Sequence, residues 1–340
     1  MALPVLVEVT RGDMVESRHR GSFAIVHADS GLLFAAGATE DPVYPRSTVK
    51  VIQALPLVES GAADDLNLSD YELALCCASH SGERRHVETA NALLERLGLG
   101  ESALACGPHW PSVPTVIADM GEAGETPTKC HNNCSGKHAG MLAVAGHMGE
   151  PQEGYESYDH PVQARIRQVM ADVFGRPMDD FPTGIDGCSL PTIAVPLSML
   201  ARGFARLTGD GSIAIDRRAA ADRLMKVCMA EPHAVGGEGR FDTQVMQAFG
   251  GRVFAKGGAE GVHVVVFPKL KIAAAIKMED GAARASEVVA ASIISRFALQ
   301  SAEDHDFIEE KMAPPVKNAA GAVCGQLRPA VPFLEALRTL

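Results

Sequence analysis

This sequence has few aromatic residues and no excess of basic residues. Aromatic side chains make up 5% of its 340 residues, with one tryptophan, and the formal net charge is −11. A core must therefore consist mainly of small aliphatic side chains, which the 46% of apolar residues can supply. Phosphate backbones are bound by basic surfaces, so we expect no nucleic-acid partner.

Long uncharged runs and a targeting leader are also missing. No apolar stretch approaches the length of a membrane span, and the apolar run at the N-terminus stops at Glu8 without a positive leader. The acidic balance leaves no polybasic membrane anchor. We therefore expect a cytoplasmic protein without membrane contact. In a reducing compartment its eight scattered cysteines should be free thiols.

Hydrophobic periodicity divides the chain into strand-like ends and a helical middle. It predicts strands at residues 4–9, 22–27, 32–36, 262–267 and 271–278. Helices are predicted at residues 46–55, 82–97, 135–146, 160–174, 219–229 and 283–299. The order indicates an α+β fold with one antiparallel sheet flanked by helices. We expect residues 1–340 to form a single catalytic unit, with a sheet lobe of about 1–43 and 250–340 and a mostly helical lobe of about 44–249.

A Ser-x-x-Lys motif, from Ser47 to Lys50, stands at the start of the first predicted helix. The i, i+3 spacing puts both side chains on one helical face, and the helix N-terminus favours an oxyanion. A lysine that is desolvated in a pocket loses its proton and can act as a base. The same motif also occurs by chance at solvated helix starts, so alone it does not define a site.

Two further motifs carry a hydroxyl or an amine. Residues 79–83, Ser-His-Ser-Gly-Glu, precede a predicted helix, where Ser81 could serve as a simple N-cap. A second hydroxyl beside a Ser/Lys pair could instead relay a proton. Lys256-Gly257-Gly258 comes just before the strand at Val262, where small residues would let a substrate lie against backbone. An ordinary glycine-rich turn would look the same.

In this order, the three motifs are similar to the Ser-x-x-Lys, Ser-x-Asn and Lys-Thr-Gly set of the serine β-lactamase and penicillin-binding fold. Ser81 and Gly257 depart from that set, which argues against a β-lactamase. Two more motifs are residues 134–141, Cys-Ser-Gly-Lys-His-Ala-Gly-Met, and residues 184–188, Gly-Ile-Asp-Gly-Cys. Together the five resemble the rhizobial-type (class 3) L-asparaginases over nearly the whole chain.

The resemblance implies a serine β-lactamase-like fold and two Ser/Lys pairs. Ser47 would be the nucleophile with Lys50 as its base, while Ser79 and Lys256 would form the second pair. One departure is Asp242, near a position where the family carries a cysteine, so any role of that cysteine does not transfer.

The resemblance also implies a substrate pocket and a zinc ion. Arg46, His138 and Asp186 would line the pocket. Zinc would be held by the side chains of Cys134, Lys137 and Cys188.

Zinc is an unusual prediction on the residues alone. The spacing fits no standard zinc pattern, and Cys134 with His138 at i, i+4 would be a more natural pair of ligands than a lysine. The two thiols could also be buried without a metal. A lysine ligand must be deprotonated, so zinc occupancy should fall at low pH. Because a serine supplies the nucleophile, the ion would orient the substrate or shape the pocket.

These inferences predict an L-asparagine amidohydrolase that releases aspartate and ammonia and, by resemblance, forms a homodimer. Another enzyme of the same fold, such as a glutaminase, esterase or peptidase, remains an alternative. So does a non-catalytic protein that binds zinc or an amide ligand. In a third alternative the thiol of Cys134 or Cys188 is the nucleophile.

Overall fold

The computed structural model describes residues 3–209, 211 and 213–340. Its strands are β1 Val5–Arg11, β2 Met14–His27, β3 Gly31–Ala36, β4 Pro42–Val43, β5 Thr183–Ile185, β6 Pro191–Ile193, β7 Val195–Pro196, β8 Phe254–Gly258, β9 Val262–Phe267, β10 Ile272–Met278, β11 Pro315–Lys317 and β12 Val323–Pro329.

The helices alternate with shorter 3₁₀ turns, for example at Arg46–Val49 and Lys129–His131. They are α1 Lys50–Gln53, α2 Leu55–Glu59, α3 Ala62–Asp65, α4 Asp70–Leu75, α5 Arg84–Arg96, α6 Pro114–Ala123, α7 Ser135–His147, α8 Pro161–Phe174, α9 Leu197–Thr208, α10 Ile215–Ala230, α11 Pro232–Val235, α12 Phe241–Phe249, α13 Ala283–Phe297, α14 Ala302–Met312 and α15 Val331–Arg338.

The described residues fall into two compact units. The sheet unit lies within Met1–Thr48, Val195–Ser212 and Ala248–Leu340, and the helical unit lies within Val49–Ala194 and Ile213–Gln247. The predicted α+β class, an antiparallel sheet with flanking helices, is confirmed.

The sheet unit contains an antiparallel sheet with the strand order β11-β12-β1-β2-β10-β9-β8, and β3 pairs with β2. Every residue of β9 is buried, which is typical of a strand with both faces covered. Helix α13 contacts β9 and β10, and helix α9 contacts β2 and β10. Small alanines at 273–275 of β10 let these helices approach the sheet. The core of this unit is thus formed by closely packed small side chains, as the low aromatic content predicts.

The helical unit packs around α7, in which residues 135–145 are all buried. Gly136 lies against the backbone of Leu75, because a Cβ atom at this glycine would be 2.2 Å from the Leu75 carbonyl oxygen. The end of α4 and the segment after it are therefore drawn against the first turn of α7. This contact brings the residues after Leu75 close to the buried start of α7.

Several elements differ from the sequence predictions. The helix predicted at residues 46–55 is a 3₁₀ turn, Arg46–Val49, followed by α1 and then α2. The strand predicted at 22–27 is the second half of β2, whose first half, exposed and rich in charge, gave no alternating signal. The glycines at the end of β8 and the C-terminal pair β11 and β12 were not predicted as strands. No helix in the described part of the chain is both long and apolar enough to span a membrane.

Candidate active site

Lys50 begins α1 and is fully buried in the helical unit. Its Nζ donates hydrogen bonds to the Ala78 carbonyl oxygen at 2.5 Å and to the Ser79 hydroxyl at 2.9 Å, and it lies 3.1 Å from the Cys134 Sγ. Burial lowers the pKa of Lys50, and the Cys134 thiol opposes this effect. An amine whose proton is easily lost therefore lies within hydrogen-bond distance of a serine hydroxyl.

Ser79 lies in the irregular segment between α4 and α5. Its backbone N–H donates to the Val235 carbonyl oxygen at 2.9 Å, which fixes the start of this segment. The proposal that Ser81 caps the following helix is wrong. Helix α5 begins at Arg84 with Glu83 as its N-cap, and the Ser81 hydroxyl instead donates to the Gly236 carbonyl oxygen at 2.7 Å. The segment is thus held by a neighbouring loop, since Ser81 takes no part in capping α5.

Cys134, Lys137 and Cys188 lie close together and are buried. The Lys137 Nζ is 3.2 Å from the Cys188 Sγ. A hydrogen bond from the Cys188 thiol lowers the pKa of Cys134, and the positive charges of the two nearby lysines act in the same direction. That shared hydrogen bond, together with burial, raises the pKa of Cys188. Within this pair, deprotonation is therefore favoured at Cys134 over Cys188.

This set of donors fits the zinc ion that the resemblance implies. Soft thiolate ligands suit zinc, and Cys134 already has thiolate character. Lys137 would have to lose a proton first, because the thiols and the Asp186 carboxylate raise its pKa against the effect of burial. Zinc and protons would therefore compete for this lysine.

Two predicted substrate-binding residues also belong to the helical unit. His138 is buried, and its Nδ1 lies 2.5 Å from the Tyr155 hydroxyl. Burial lowers the pKa of His138, so its ring is neutral. The Asp186 Oδ1 accepts a hydrogen bond from the Gly187 N–H at 2.8 Å, and the carboxylate contributes negative charge near Lys137. Tyr155 was not identified from the sequence, because nothing local marks a tyrosine that will meet a histidine 17 residues earlier.

The other predicted residues belong to the sheet unit, where β8 is the last strand of the sheet. A Cβ atom at Gly258 would lie 3.2 Å from the backbone nitrogen of Ser47, so the missing side chain allows β8 to approach this residue closely. Arg46 has a φ of 51°, a left-handed conformation that costs a non-glycine residue energy. Lys256 is buried within β8, and its Nζ donates to the Gly257 carbonyl oxygen.

The structure thus groups the predicted residues by unit. In the helical unit it brings Lys50 together with Ser79 and Cys134, and Lys137 with Cys188. In the sheet unit it brings Ser47 beside the end of β8. The hydroxyl that Lys50 contacts is the one that the resemblance had assigned to Lys256.

A desolvated lysine that shares a hydrogen bond with a serine, on a mixed α+β scaffold, is typical of hydrolases that act by acyl transfer. The family model described as L-asparaginase II matches residues 7–329, so this chain belongs to the L-asparaginase II family. The family resemblance predicted from the sequence motifs is confirmed. Comparison with curated proteins gives no significant match.

Structural comparison finds a likeness to solved proteins named as β-lactamases and carboxypeptidases. A β-lactamase from Mycobacterium bovis is 12% identical, with 82% of this chain and 95% of that chain covered and a TM-score of 0.43. A β-lactamase/D-alanine carboxypeptidase from Pseudomonas syringae is 10% identical, with 86% and 92% covered and a TM-score of 0.39. A D-alanine carboxypeptidase from Burkholderia cenocepacia is 11% identical, with the same coverage and a TM-score of 0.38. Because these TM-scores lie below 0.5, neither a fold nor an activity is transferred from these proteins to this chain.

Proposed function

We propose that the protein is an L-asparagine amidohydrolase that uses a serine nucleophile and a neutral lysine. The products are aspartate and ammonia, from one asparagine and one water. The observation that carries the proposal is the buried Lys50 amine, whose pKa is lowered and which lies 2.9 Å from the Ser79 hydroxyl. A base of this kind can take a proton from an alcohol near neutral pH.

Ser47 is the acylated residue in this proposal. Two features of its surroundings support the choice: the left-handed Arg46 just before it and the close approach of Gly258 to its backbone nitrogen. The Ser47 N–H and the backbone of β8 would stabilise the oxyanion of the tetrahedral intermediate. Lys50 would take the proton from the Ser47 hydroxyl as its oxygen attacks the amide carbon. Ser79, assisted by Lys256, would deliver a proton to the departing ammonia, and water would then hydrolyse the acyl-enzyme to aspartate.

The remaining assignments follow from the family resemblance and stay predictions. Arg46 would pair with the α-carboxylate of asparagine, Asp186 would meet its α-ammonium group, and His138 would line the pocket. Zinc bound by Cys134, Lys137 and Cys188 would supply a fixed positive charge that orients the substrate. Cytoplasmic location and a homodimer are further predictions, the second of which light scattering would test.

The decisive experiment measures ammonia release from L-asparagine by the wild type and by Ser47→Ala and Ser79→Ala, each with and without a chelator. We expect Ser47→Ala to lose nearly all turnover while its circular dichroism spectrum stays unchanged. Ser112→Ala is a suitable control, because Ser112 is exposed. Turnover in Ser47→Ala close to that of the wild type would exclude Ser47 as the nucleophile.

A second measurement separates the two serines and the rival functions. Mass spectrometry during turnover of an ester substrate should locate the acyl group on the peptide that contains Ser47, whereas acylation of Ser79 would exchange the two roles. Glutamine and the ester, compared with asparagine in the same assay, would identify a glutaminase or an esterase. Binding of asparagine without ammonia release would indicate a non-catalytic binding protein, and inactivation by thiol alkylation alone would favour a cysteine nucleophile.

A further inference from the structure

A second, partly buried cluster of the helical unit takes no part in the proposed chemistry. It contains Tyr71, Glu83, His86 and His233, which we call the histidine brace. The Glu83 Oε2 lies 3.0 Å from the His233 Nε2, and the His233 Nδ1 lies 3.0 Å from the Tyr71 hydroxyl. The His86 Nδ1 accepts a hydrogen bond from the Glu83 N–H at 3.2 Å, so its Nε2 carries the proton and donates to the His233 carbonyl oxygen at 2.8 Å.

By distance alone, the brace resembles a metal site. One ligand atom each from Glu83, His86 and His233 lies within 4.8 Å of the others. The two imidazole rings, however, are stacked at 4.7 Å with an angle of 11° between their planes. A metal ion lies in the plane of each imidazole that binds it, because the nitrogen lone pair lies there. Two parallel rings therefore cannot share one ion, and both nitrogens of His86 already have backbone partners.

The brace instead joins two segments of backbone, residues 79–83 and 233–238. Besides the contact to His233, Glu83 accepts a hydrogen bond at Oε1 from the Glu238 N–H at 2.9 Å. Gly237 has a φ of 102°, and a Cβ atom there would lie 2.3 Å from the same Oε1. The turn at Gly237 therefore packs directly against the Glu83 carboxylate. The same two segments share the bond from the Ser79 N–H to the Val235 carbonyl oxygen.

We infer that Glu83 and His233 are positioning residues that hold Ser79 at the amine of Lys50. The inference rests on the proposed function, and it adds the reason why Ser79 keeps its place. The segment that carries Ser79 has no regular secondary structure of its own from Ala78 to Glu83. Its geometry therefore depends on the loop at 233–238, and Glu83 is the side chain that contacts this loop at both His233 and Glu238.

Removal of the brace should lower kcat and leave KM nearly unchanged, because the substrate contacts remain while a proton-transfer group moves. We expect Glu83→Ala and His233→Phe each to reduce kcat by about tenfold to a hundredfold. Phenylalanine keeps the stacked ring and loses both hydrogen bonds. Because the two residues act through one contact, the double variant should lose no more than the worse single variant.

Conservative and matched variants separate positioning from general damage. In Glu83→Gln the amide oxygen can still accept from Glu238, and its nitrogen can donate to the other tautomer of His233, so this variant should recover most of kcat. Glu88→Gln changes an exposed carboxylate on the same helix and should behave as the wild type. A kcat within twofold of the wild type in Glu83→Ala, or strict additivity in the double variant, would overturn the inference.

Hydrogen exchange measured by mass spectrometry tests the brace without any substrate. Peptides that cover residues 79–83 and 233–238 should exchange at least about tenfold faster in Glu83→Ala, while peptides from α7 and α8 keep their rates. The inference would be contradicted if exchange in Glu83→Ala were unchanged or were faster across the whole helical unit. It would also be contradicted if Glu83→Ala bound one zinc ion per chain fewer than the wild type, because the brace would then be a metal site. If the wild type released no ammonia, the proposed function would fail, and this exchange pattern would still decide whether the brace fixes the segment.

Discussion

Two largely buried clusters of the helical unit respond to burial in different ways. The lysine–thiol cluster consists of Lys50, Cys134, Lys137 and Cys188 and keeps charge inside the protein. The histidine column consists of the stacked rings of His80, His86 and His233, and burial favours the neutral forms of His80 and His86. Lys137 has a raised pKa although it is fully buried. Burial lowers the pKa of His86 to about 4, and burial also lowers the pKa of His80 well below its usual value.

The difference shows that burial alone does not decide the protonation of these groups. Both lysines feel the thiols of Cys134 and Cys188, but only Lys137 also feels the Asp186 carboxylate, and only there is desolvation outweighed. Lys50 has weaker compensation and also feels the positive charge of Lys137, which lowers its pKa further. The first cluster therefore contains one charged lysine and one lysine that releases its proton readily, which is what a base requires.

The largest expected effect comes from Lys50→Met, which removes the proposed base. Ammonia release from L-asparagine should fall by about 10⁴-fold, equivalent to about 5 kcal/mol in the activation barrier. Lys226→Met, at an exposed lysine, is the matched control and should keep full activity. If Lys50→Met kept a tenth of the wild-type rate, proton transfer to this amine would not be part of the mechanism.

A smaller effect is expected from Lys137→Met in metal-free protein. The change leaves the Cys134 thiolate with less positive charge in a buried site, and loss of one partner from such a pair costs about 4 kcal/mol. Denaturant unfolding should show this loss, with Lys226→Met again unchanged within about 0.5 kcal/mol. A near-neutral result for Lys137→Met would mean that this lysine is uncharged in the folded protein, and the contrast with Lys50 would disappear.

The histidine column predicts a dependence of stability on pH. The folded protein holds His86 neutral down to about pH 4, whereas an unfolded chain binds its proton near pH 6.5. As the pH falls from 6.5 towards 4, the unfolded state therefore gains a proton that the folded state cannot take, and stability decreases. The difference between the folded and unfolded pKa values of His86 corresponds to about 3 kcal/mol in the free energy of unfolding. Urea unfolding measures the free energy of unfolding at pH 7 and pH 4, and the decrease between them should be smaller in His86→Gln than in the wild type. An equal decrease in both proteins would show that His86 is not its cause.

Much of the candidate site could be named from the sequence because its motifs are local, while the roles of its residues stay predictions. Ser47 and Lys50 are three residues apart, and Cys134 and Lys137 stand at the same spacing at the start of a helix, so pattern and resemblance identify them directly. The sheet was predictable where strands are apolar, as in β9 and β10. The exposed half of β2 was not, because its side chains carry no alternating pattern.

Contacts between distant parts of the sequence were not predictable. His233 follows Glu83 by 150 residues, and neither stands in a recognisable motif with the other. Similarly, helix α9 lies in the stretch with helical periodicity, yet it packs on β2 and β10 of the sheet unit. Sequence patterns describe which face of an element is apolar, but they do not say which partner will cover it.

The smallest effect is expected from Ser81→Ala, which removes a hydrogen bond between two neutral groups. Ser81 is buried beside the histidine column and donates to the Gly236 carbonyl oxygen, so Ser81→Ala leaves one buried carbonyl without that donor. A neutral bond of this kind contributes about 1 kcal/mol, well below the loss expected at Lys137. Urea unfolding at pH 7 measures this loss of stability, and Ser69→Ala, at the N-cap of α4, should show a loss of similar size.

Hydrogen exchange after Ser81→Ala should increase at residues 235–238 and not in the first turn of α5, because Ser81 holds the loop and does not cap that helix. Faster exchange confined to α5 would contradict this assignment, since it would mean that Ser81 stabilises the start of α5 and contributes nothing to the loop.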